Sequence, residues 1–403
     1  MTHPYWLDIP LIEGKKTSPA AEGEIVIIGS GLSGISAAYW LQKKGFTDLT
    51  LIDHKPEEAA SFRNCGHILY GTVESMLALT SLHGEAIAKD LWNLSISICH
   101  EVKQTVKTEN LNVDYKQDGY LVIGIDESEH SEILKSIELL NKHNFQSDYI
   151  PKEKLEKLGF RNTTGARYEA GSAQAHPTKF RNELLNLCIT RGLKYHSHIQ
   201  VKSVEEQNDK VIIKTTTGEL KYEAAVIAAN AYSPLLSSFF QKHRLVEPFR
   251  GQILCSKPLK TKLPVTYPHS FDHGYEYAIA TADNRLMLGG WRNNTAGETG
   301  TYDITPNPLV EEGLKQFAND HYALAKNEKI EWDYSWAGIM AASKTGFPFI
   351  GPIDSQRIFT VSGYTGHGFS WAHGSAKYLA DIMAGDPIPD LVARQFNPRS
   401  QSH

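Results

Sequence analysis

Two short stretches carry the residues best suited to chemistry. Gly29-Ser-Gly31-Leu32-Ser33-Gly34 is a G-x-G-x-x-G, and Tyr364-Thr-Gly366-His367-Gly368-Phe369-Ser-Trp-Ala-His373 packs two glycines and two histidines into one segment near the other end of the chain. Glycines at the first spacing let a turn tighten, let the backbone approach a pyrophosphate and let a helix pack closely on a strand. The second stretch invites a metal reading through its histidines. His367 and His373 are six residues apart, whereas one helical face needs i and i+4, and no acidic cluster or cysteine stands beside them in sequence. No metal is expected. The stretch instead reads as a strand end opening into a helix, with His373 a residue of that helix.

The segments around Gly29 are those a nucleotide turn requires. Ile25 to Ile28, "IVII", is a β-branched apolar run of the kind that forms a buried parallel strand. Ile35, Ala38, Tyr39 and Leu41 then recur with helical spacing before Gly45, and a second strand, "LTLID", ends at Asp53, 19 residues past Gly34. Strand, glycines, helix, strand and acid in this order form the dinucleotide fingerprint. The helix N-terminus offers N–H groups and positive dipole to phosphates, and Asp53, followed by His54, is placed to accept from a ribose diol. The fingerprint does not separate NAD from FAD. No second G-x-G-x-x-G is present, which disfavours a plan with both FAD and NAD sites.

Composition bounds the rest. A chain of 403 residues is long for one core, so two domains are expected. Net charge is −5 without a basic block, which excludes the electrostatic footprint of a nucleic-acid binder. Cys65, Cys99, Cys188 and Cys255 are scattered with no C-x-x-C pair, as in a reducing compartment. Neither a signal peptide nor a membrane span is apparent, and a cytoplasmic location is expected.

Beyond Asp53, a helical stretch is expected from about Glu74 to Lys107, a strand at "YLVIGID", and helices at "ESEHSEILKSIELLNKH" and "PTKFRNELLNLCITRGL". "QVKSVEEQ" and "KVIIKTTTG" form a hairpin turning at Asn208-Asp209, and the middle of the chain is strand-rich. The expected class is α/β, a Rossmann-type nucleotide domain interleaved with an antiparallel-sheet-containing α+β substrate domain. The nucleotide domain takes residues 22–100, 165–238 and 335–388, and the substrate domain takes 101–164 and 239–334.

These pieces in this order resemble the D-amino-acid oxidase superfamily of FAD enzymes, the group that includes sarcosine oxidase, glycine oxidase and γ-glutamylputrescine oxidoreductase. The resemblance rests on the N-terminal fingerprint, "SFRNCGH", "PFRGQ", "RLMLGGW" and "GYTGHGF", and covers about residues 22 to 386. It implies an extended FAD, with adenosine at Asp53 and pyrophosphate on Gly29, Gly31, Leu32, Ser33 and Gly34. It puts Ser61, Arg63, Asn64, Cys65, Gly66 and His67 along the ribityl chain and ring. Val201 frames the adenine, Ala228 and Ala229 the pyrophosphate side, and Gly366, His367, Gly368 and Phe369 the pyrimidine edge; Gly338 and Gly363 are counted with them. A helix dipole at that edge would stabilise negative charge on the reduced ring.

Three departures from the group carry information. Met340 stands where amino-acid-oxidising relatives have an arginine that pairs with a substrate carboxylate, and a thioether cannot make that bidentate pair. Either the substrate is an amine without a nearby carboxylate, or Arg250, Arg292 or Lys344 substitutes. The cysteine that holds flavin covalently in sarcosine oxidases is missing; Cys65 and His67 are alternatives, and non-covalent FAD is the expectation. Met287 replaces the lysine that helps flavin react with oxygen, which points to molecular oxygen or another electron acceptor as the open choice.

The implied reaction is oxidation of a C–N bond by hydride transfer to flavin N5, giving an imine that hydrolyses. An apolar aromatic pocket that keeps the amine neutral would suffice. Tyr277 is the first candidate for that pocket, with Trp291 and Trp336 also candidates and Tyr275 less so, and the resemblance puts Arg250 and Gln252 under the flavin or at the pocket edge. The partner is a small-molecule amine, γ-glutamylputrescine-like or related. The competing readings are an NAD-dependent dehydrogenase and a flavin-binding subunit with no turnover of its own.

Overall fold

The computed structural model describes residues 3–263, 267–324 and 328–401. In the strand Glu22–Ile28, Ile25 and Ile27 enter one core cluster while Val26 and Ile28 enter another. Successive side chains of a strand point to opposite faces, so an unbroken apolar run marks a strand covered on both. Each such side chain contributes about 1.5–3 kcal/mol of hydrophobic stabilisation.

That strand lies inside an eight-stranded sheet. It pairs in parallel with Gly218–Ile227 on one side and Leu49–Ile52 on the other. Ile358–Ser362 and Lys194–His196 extend the parallel order outward, and Phe349–Pro352 closes one edge antiparallel. The hairpin of Val201–Gln207 and Lys210–Thr215 is attached to Gly218–Ile227. Its two turn residues, Asn208 and Asp209, have φ of 50° and 59°, the left-handed pair that a tight type I′ hairpin demands.

Helices Leu32–Lys43, Glu85–Thr108, Pro177–Thr190 and Gly368–Ala384 cover this sheet and share one core. Gly374 lets two of them touch: a Cβ there would lie 2.8 Å from the Ile98 Cα. The helical stretch expected from Glu74 to Lys107 is two helices, Met76–His83 and Glu85–Thr108. Gly84, at φ 82°, donates its N–H to Thr80 and ends the first.

A second eight-stranded sheet runs Trp332–Ser343, Val246–Ser256, Leu286–Gly289, Glu276–Ala280, His269–Phe271, Tyr120–Gly124, Gly165–Glu169, Asp148–Pro151. It is antiparallel except where His269–Phe271 meets Tyr120–Gly124. Its core includes Leu314, Phe317 and Ala318 of the helix Pro308–His321. The fold is thus mixed α/β, as expected, but two borders between the halves fall elsewhere. Gly165–Glu169 pairs with Tyr120–Gly124 and Asp148–Pro151, so residues 165–169 belong to the second sheet rather than to the nucleotide side. Trp332–Ser343 pairs along its length with Val246–Ser256, which moves the border at 335 to beyond Ser343. Backbone pairing across the chain decides both. No helix among the described residues is long and apolar enough to cross a membrane.

Candidate functional site

One continuous cavity of about 1040 Å³ runs from the carboxyl ends of the parallel strands to the face of the second sheet. At its first end the turn Gly29–Gly34 is built as the fingerprint requires. Gly29 sits at φ 107°, and a Cβ on Gly34 would come within 1.8 Å of the Gly29 carbonyl oxygen. Gly31 caps the helix with no side-chain bond, leaving its N-terminus facing the cavity. Asp53 accepts from the backbone N–H of Ser30 at 2.5 Å and of Lys55 at 2.9 Å, and burial raises its carboxyl above the ordinary value. Gly31, Leu32, Ser33, His54, Val201, Ala228 and Ala229 line this end with it. Gly34 is not in the lining; its role is the contact behind the turn.

The segment 61–67 forms the floor. Ser61 Oγ accepts from Leu32 N at 2.8 Å, bringing this segment against the glycine turn. Asn64 shapes its own loop: Nδ2 donates to Ala60 and Ser61 carbonyls and Oδ1 accepts from Gly66 N. Gly66, at φ 76°, packs on the Ala175 carbonyl and does not line the cavity. Arg63 donates to the Ala337 carbonyl and lies under Gly338, where a Cβ would strike its side chain at 2.6 Å. Cys65 lines the cavity, and burial pushes its thiol well above the usual range. His67 donates from Nε2 to the Ala278 carbonyl at 3.2 Å, and burial lowers its pKa to about 3, so the ring is neutral.

The Tyr364–His373 stretch arrives from the opposite side. Gly366, His367, Gly368 and Phe369 line the cavity where the helix Gly368–Ala384 begins, and Gly363, outside the lining, is fixed by its N–H donating to Asn230 Oδ1. His367 is lowered to about 4 by burial, and its Nδ1 has no hydrogen-bond partner among the described residues. His373 points away, its two nitrogens bonded to the hydroxyls of Ser36 and Thr105. Its ring is a packing element between helices.

At the second sheet, Tyr277, Met340 and Gly251 meet: a Cβ on Gly251 would lie 2.4 Å from the Met340 Cε and 3.6 Å from the Tyr277 hydroxyl. Phe249, paired in register with Met340, and Tyr275 complete this wall. Burial raises the Tyr277 phenol, which stays protonated. Arg292 lines the same wall, its guanidinium 4.6 Å from the Phe249 ring centre and 5.0 Å from that of Tyr275.

The other expected wall residues are not brought here. Arg250 is buried in a bidentate pair with Glu298, at 2.7 and 2.8 Å, and donates to the Thr305 carbonyl, so its charge is spent on the fold. Trp291 turns its ring onto the helix Pro308–His321 at Gly313 and Phe317. Gln252 accepts from Asn307 N. Trp336 is fully buried behind the wall with Cys255 and Met287. Lys344 lies past the end of its strand, outside the lining. Of the three cations considered as carboxylate partners, only Arg292 faces the cavity.

Two residues that build this site, Arg181 and Asn230, do not stand out in the sequence reading. Buried Arg181 donates to the Ser30 hydroxyl and to Tyr195, bracing the first turn from behind. Asn230, at φ 47°, bonds the second glycine segment, and a left-handed asparagine after a buried strand was a usable signal. Arg181 left no such signal inside its helix.

The pattern of the family described as FAD dependent oxidoreductase (DAO) matches residues 24–382. Relatives include a probable oxidoreductase, OrdL, of Haemophilus influenzae, 24% identical over 90% of this chain and 83% of its own length. The gamma-glutamylputrescine oxidoreductase of Escherichia coli is 22% identical over 90% of this chain and 84% of its own. Among solved structures, glycine oxidase from Bacillus cereus superposes with a TM-score of 0.78 at 18% identity, covering 93% of this chain and 98% of that one; this likeness shows the fold.

Proposed function

We propose that this chain, which belongs to the FAD dependent oxidoreductase (DAO) family, oxidises an amine of the γ-glutamylputrescine type or a close chemical relative, with FAD held non-covalently. The chain is an FAD-dependent oxidoreductase of a family that acts on amines or amino acids. The residues fit the cofactor. His367, whose Nδ1 is buried without a hydrogen-bond partner among the described residues, lines the cavity, and the glycine turn leaves no room for a Cβ at Gly34. Gly29, Gly31, Leu32, Ser33 and Asp53 would hold the dinucleotide end, and Ser61, Asn64, His67 and Gly366–Phe369 the ring end.

FAD, when bound, would supply the two-electron acceptor for hydride leaving the substrate α-carbon, and water then hydrolyses the imine to a carbonyl compound and ammonia, or a free amine where the substrate nitrogen is secondary. The chain's part is positioning and protonation state. Met340, Phe249 and Tyr277 give an apolar wall that disfavours a charged ammonium, keeping the reacting nitrogen neutral. The neutral His67 and His367 add no charge there. The observation that carries the reading is Met340 on this wall, in the place where amino-acid-oxidising relatives have arginine. The raised, protonated Cys65 thiol supports non-covalent binding, since the thiolate is the nucleophile. Met287, buried among apolar residues, supports an acceptor other than oxygen.

A second reading has one observation in its favour. Arg292 faces the cavity and no carboxylate among the described residues pairs with it, so it could receive the carboxylate of an amino-acid substrate. Anaerobic reduction of the bound flavin by amines, against reduction by glycine, sarcosine and D-amino acids, separates the two.

A further inference from the structure

The cavity does not stop at the tyrosine wall. It continues as a second lobe bounded by the helices Glu127–Lys142 and Met76–His83 and the strand Tyr120–Gly124. A row of rings joins the two lobes: His67 lies 6.3 Å from Tyr277 and 6.1 Å from Tyr120. Glu129, Glu132 and Ser136 face this lobe from one side of the helix Glu127–Lys142.

The charges there are unevenly committed. Arg167 is buried, pairs with Glu169 and stacks 5.6 Å from the Trp92 ring. Glu129 is occupied by main chain, its two oxygens accepting from Ile125 N at 2.9 Å and His273 N at 2.7 Å. Glu132 accepts from Ser75 Oγ at 2.7 Å and approaches His273 Nδ1 at 3.4 Å, with lone pairs to spare. Ser136, one turn further on, is 3% exposed, lines the lobe, and its hydroxyl has no hydrogen-bond partner among the described residues.

A buried hydroxyl without a partner carries a desolvation cost that a ligand's polar group removes. An ammonium has three donors and no acceptor, and suits a carboxylate, a hydroxyl acceptor and aromatic walls together. A carboxylate suits the lobe poorly: Glu129 and Glu132 repel it, and Arg167 already has Glu169.

We propose that this lobe binds the distal, protonated amine of the substrate against Glu132 and Ser136, so that the substrate class narrows from γ-glutamyl amines, whose far end also carries a carboxylate, to their close relatives with a second, charged nitrogen alone: an α,ω-diamine or longer polyamine. This rests on the amine reading of the tyrosine wall. The test uses the flavin-loaded enzyme and a series of α,ω-diaminoalkanes, each against the n-alkylamine of equal length. Binding is read from the flavin difference spectrum and oxidation from anaerobic bleaching. Wild type should bind the best diamine about tenfold or more tightly than its monoamine. Glu132→Gln, which keeps the size and the Ser75 contact, should lose that preference, and Leu134→Gln on the exposed side of the same helix should keep it. Equal preference in wild type and Glu132→Gln overturns the proposal. Glu132-dependent binding without bleaching by any amine leaves the lobe assigned and overturns amine oxidation. No binding of any amine overturns both.

Discussion

The hydroxyls of Ser33 and Tyr364 share a buried hydrogen bond of 2.8 Å. One residue sits in the first glycine turn and the other opens the second glycine-rich stretch, so the two glycine-rich segments that line the cavity are tied directly to each other. The two stretches act as parts of one site, and the two histidines of the second do different work: His367 faces the cavity, while His373 is packed between helices.

Tyr364→Phe removes that tie and little else. A lost buried hydrogen bond costs about 1 kcal/mol, which corresponds to roughly fivefold weaker flavin retention. Flavin release measured by fluorescence should rise by about that factor, and Ser33→Ala added on top should add little, because both variants lose the same bond.

Gly34→Ala is the harsher test of the first turn. A Cβ would overlap the Gly29 carbonyl, and overpacking against backbone costs about 1–3 kcal/mol or more. The variant should purify with less than a tenth of the wild-type flavin-to-protein ratio, roughly the loss that this energy implies, and should unfold at lower temperature. Full flavin content would show that the turn relaxes.

Glu276, beside Tyr277, gives a pH signature. Its pKa is raised from 4.5 to about 8 by burial, with the Asp272 carboxyl adding to the effect. The folded protein therefore keeps a proton that the unfolded chain releases above about 4.5. Stability from this group is fully present at low pH, falls as pH rises from there to about 8, and is flat beyond. Thermal midpoints of Glu276→Gln should decline less across that window than those of wild type; parallel curves would contradict the assignment.

The reduced enzyme should reoxidise slowly in air and quickly with an artificial dye acceptor. Among the described residues no lysine lines the second-sheet end, and Arg292, a cation that does line it, is held against the Phe249 and Tyr275 rings. A nearby cation stabilises developing superoxide. Stopped-flow reoxidation in air on the millisecond scale would contradict this.

The half built on the parallel sheet was legible because its signals are local. "IVII", the three glycines and Asp53 each report a conformation or contact set by near neighbours, and the Asn208-Asp209 turn is likewise a two-residue matter. Gly84 was also legible as a helix end and was passed over. The half built on the second sheet was less so. Whether Gly165–Glu169 or Trp332–Ser343 joins one sheet or the other depends on hydrogen bonds to distant strands. Arg250 looked available until Glu298 and Thr305 were folded onto it, and Trp291 looked like wall until its left-handed backbone, φ 65°, turned it to the helix behind. The lobe at Glu132 and Ser136 left no trace in the sequence, because it exists only where two helices and a strand from separate segments converge.

The central claim is that this chain binds FAD and takes electrons from an amine. The most direct measurement is the visible spectrum of the purified protein during anaerobic titration with γ-glutamyl amines, polyamines, sarcosine, glycine, D-amino acids and proline derivatives. The account predicts a flavin spectrum that bleaches with an amine of the first two groups. A protein that carries no flavin and binds NAD instead, or a flavin spectrum that no compound in the series bleaches, would contradict it.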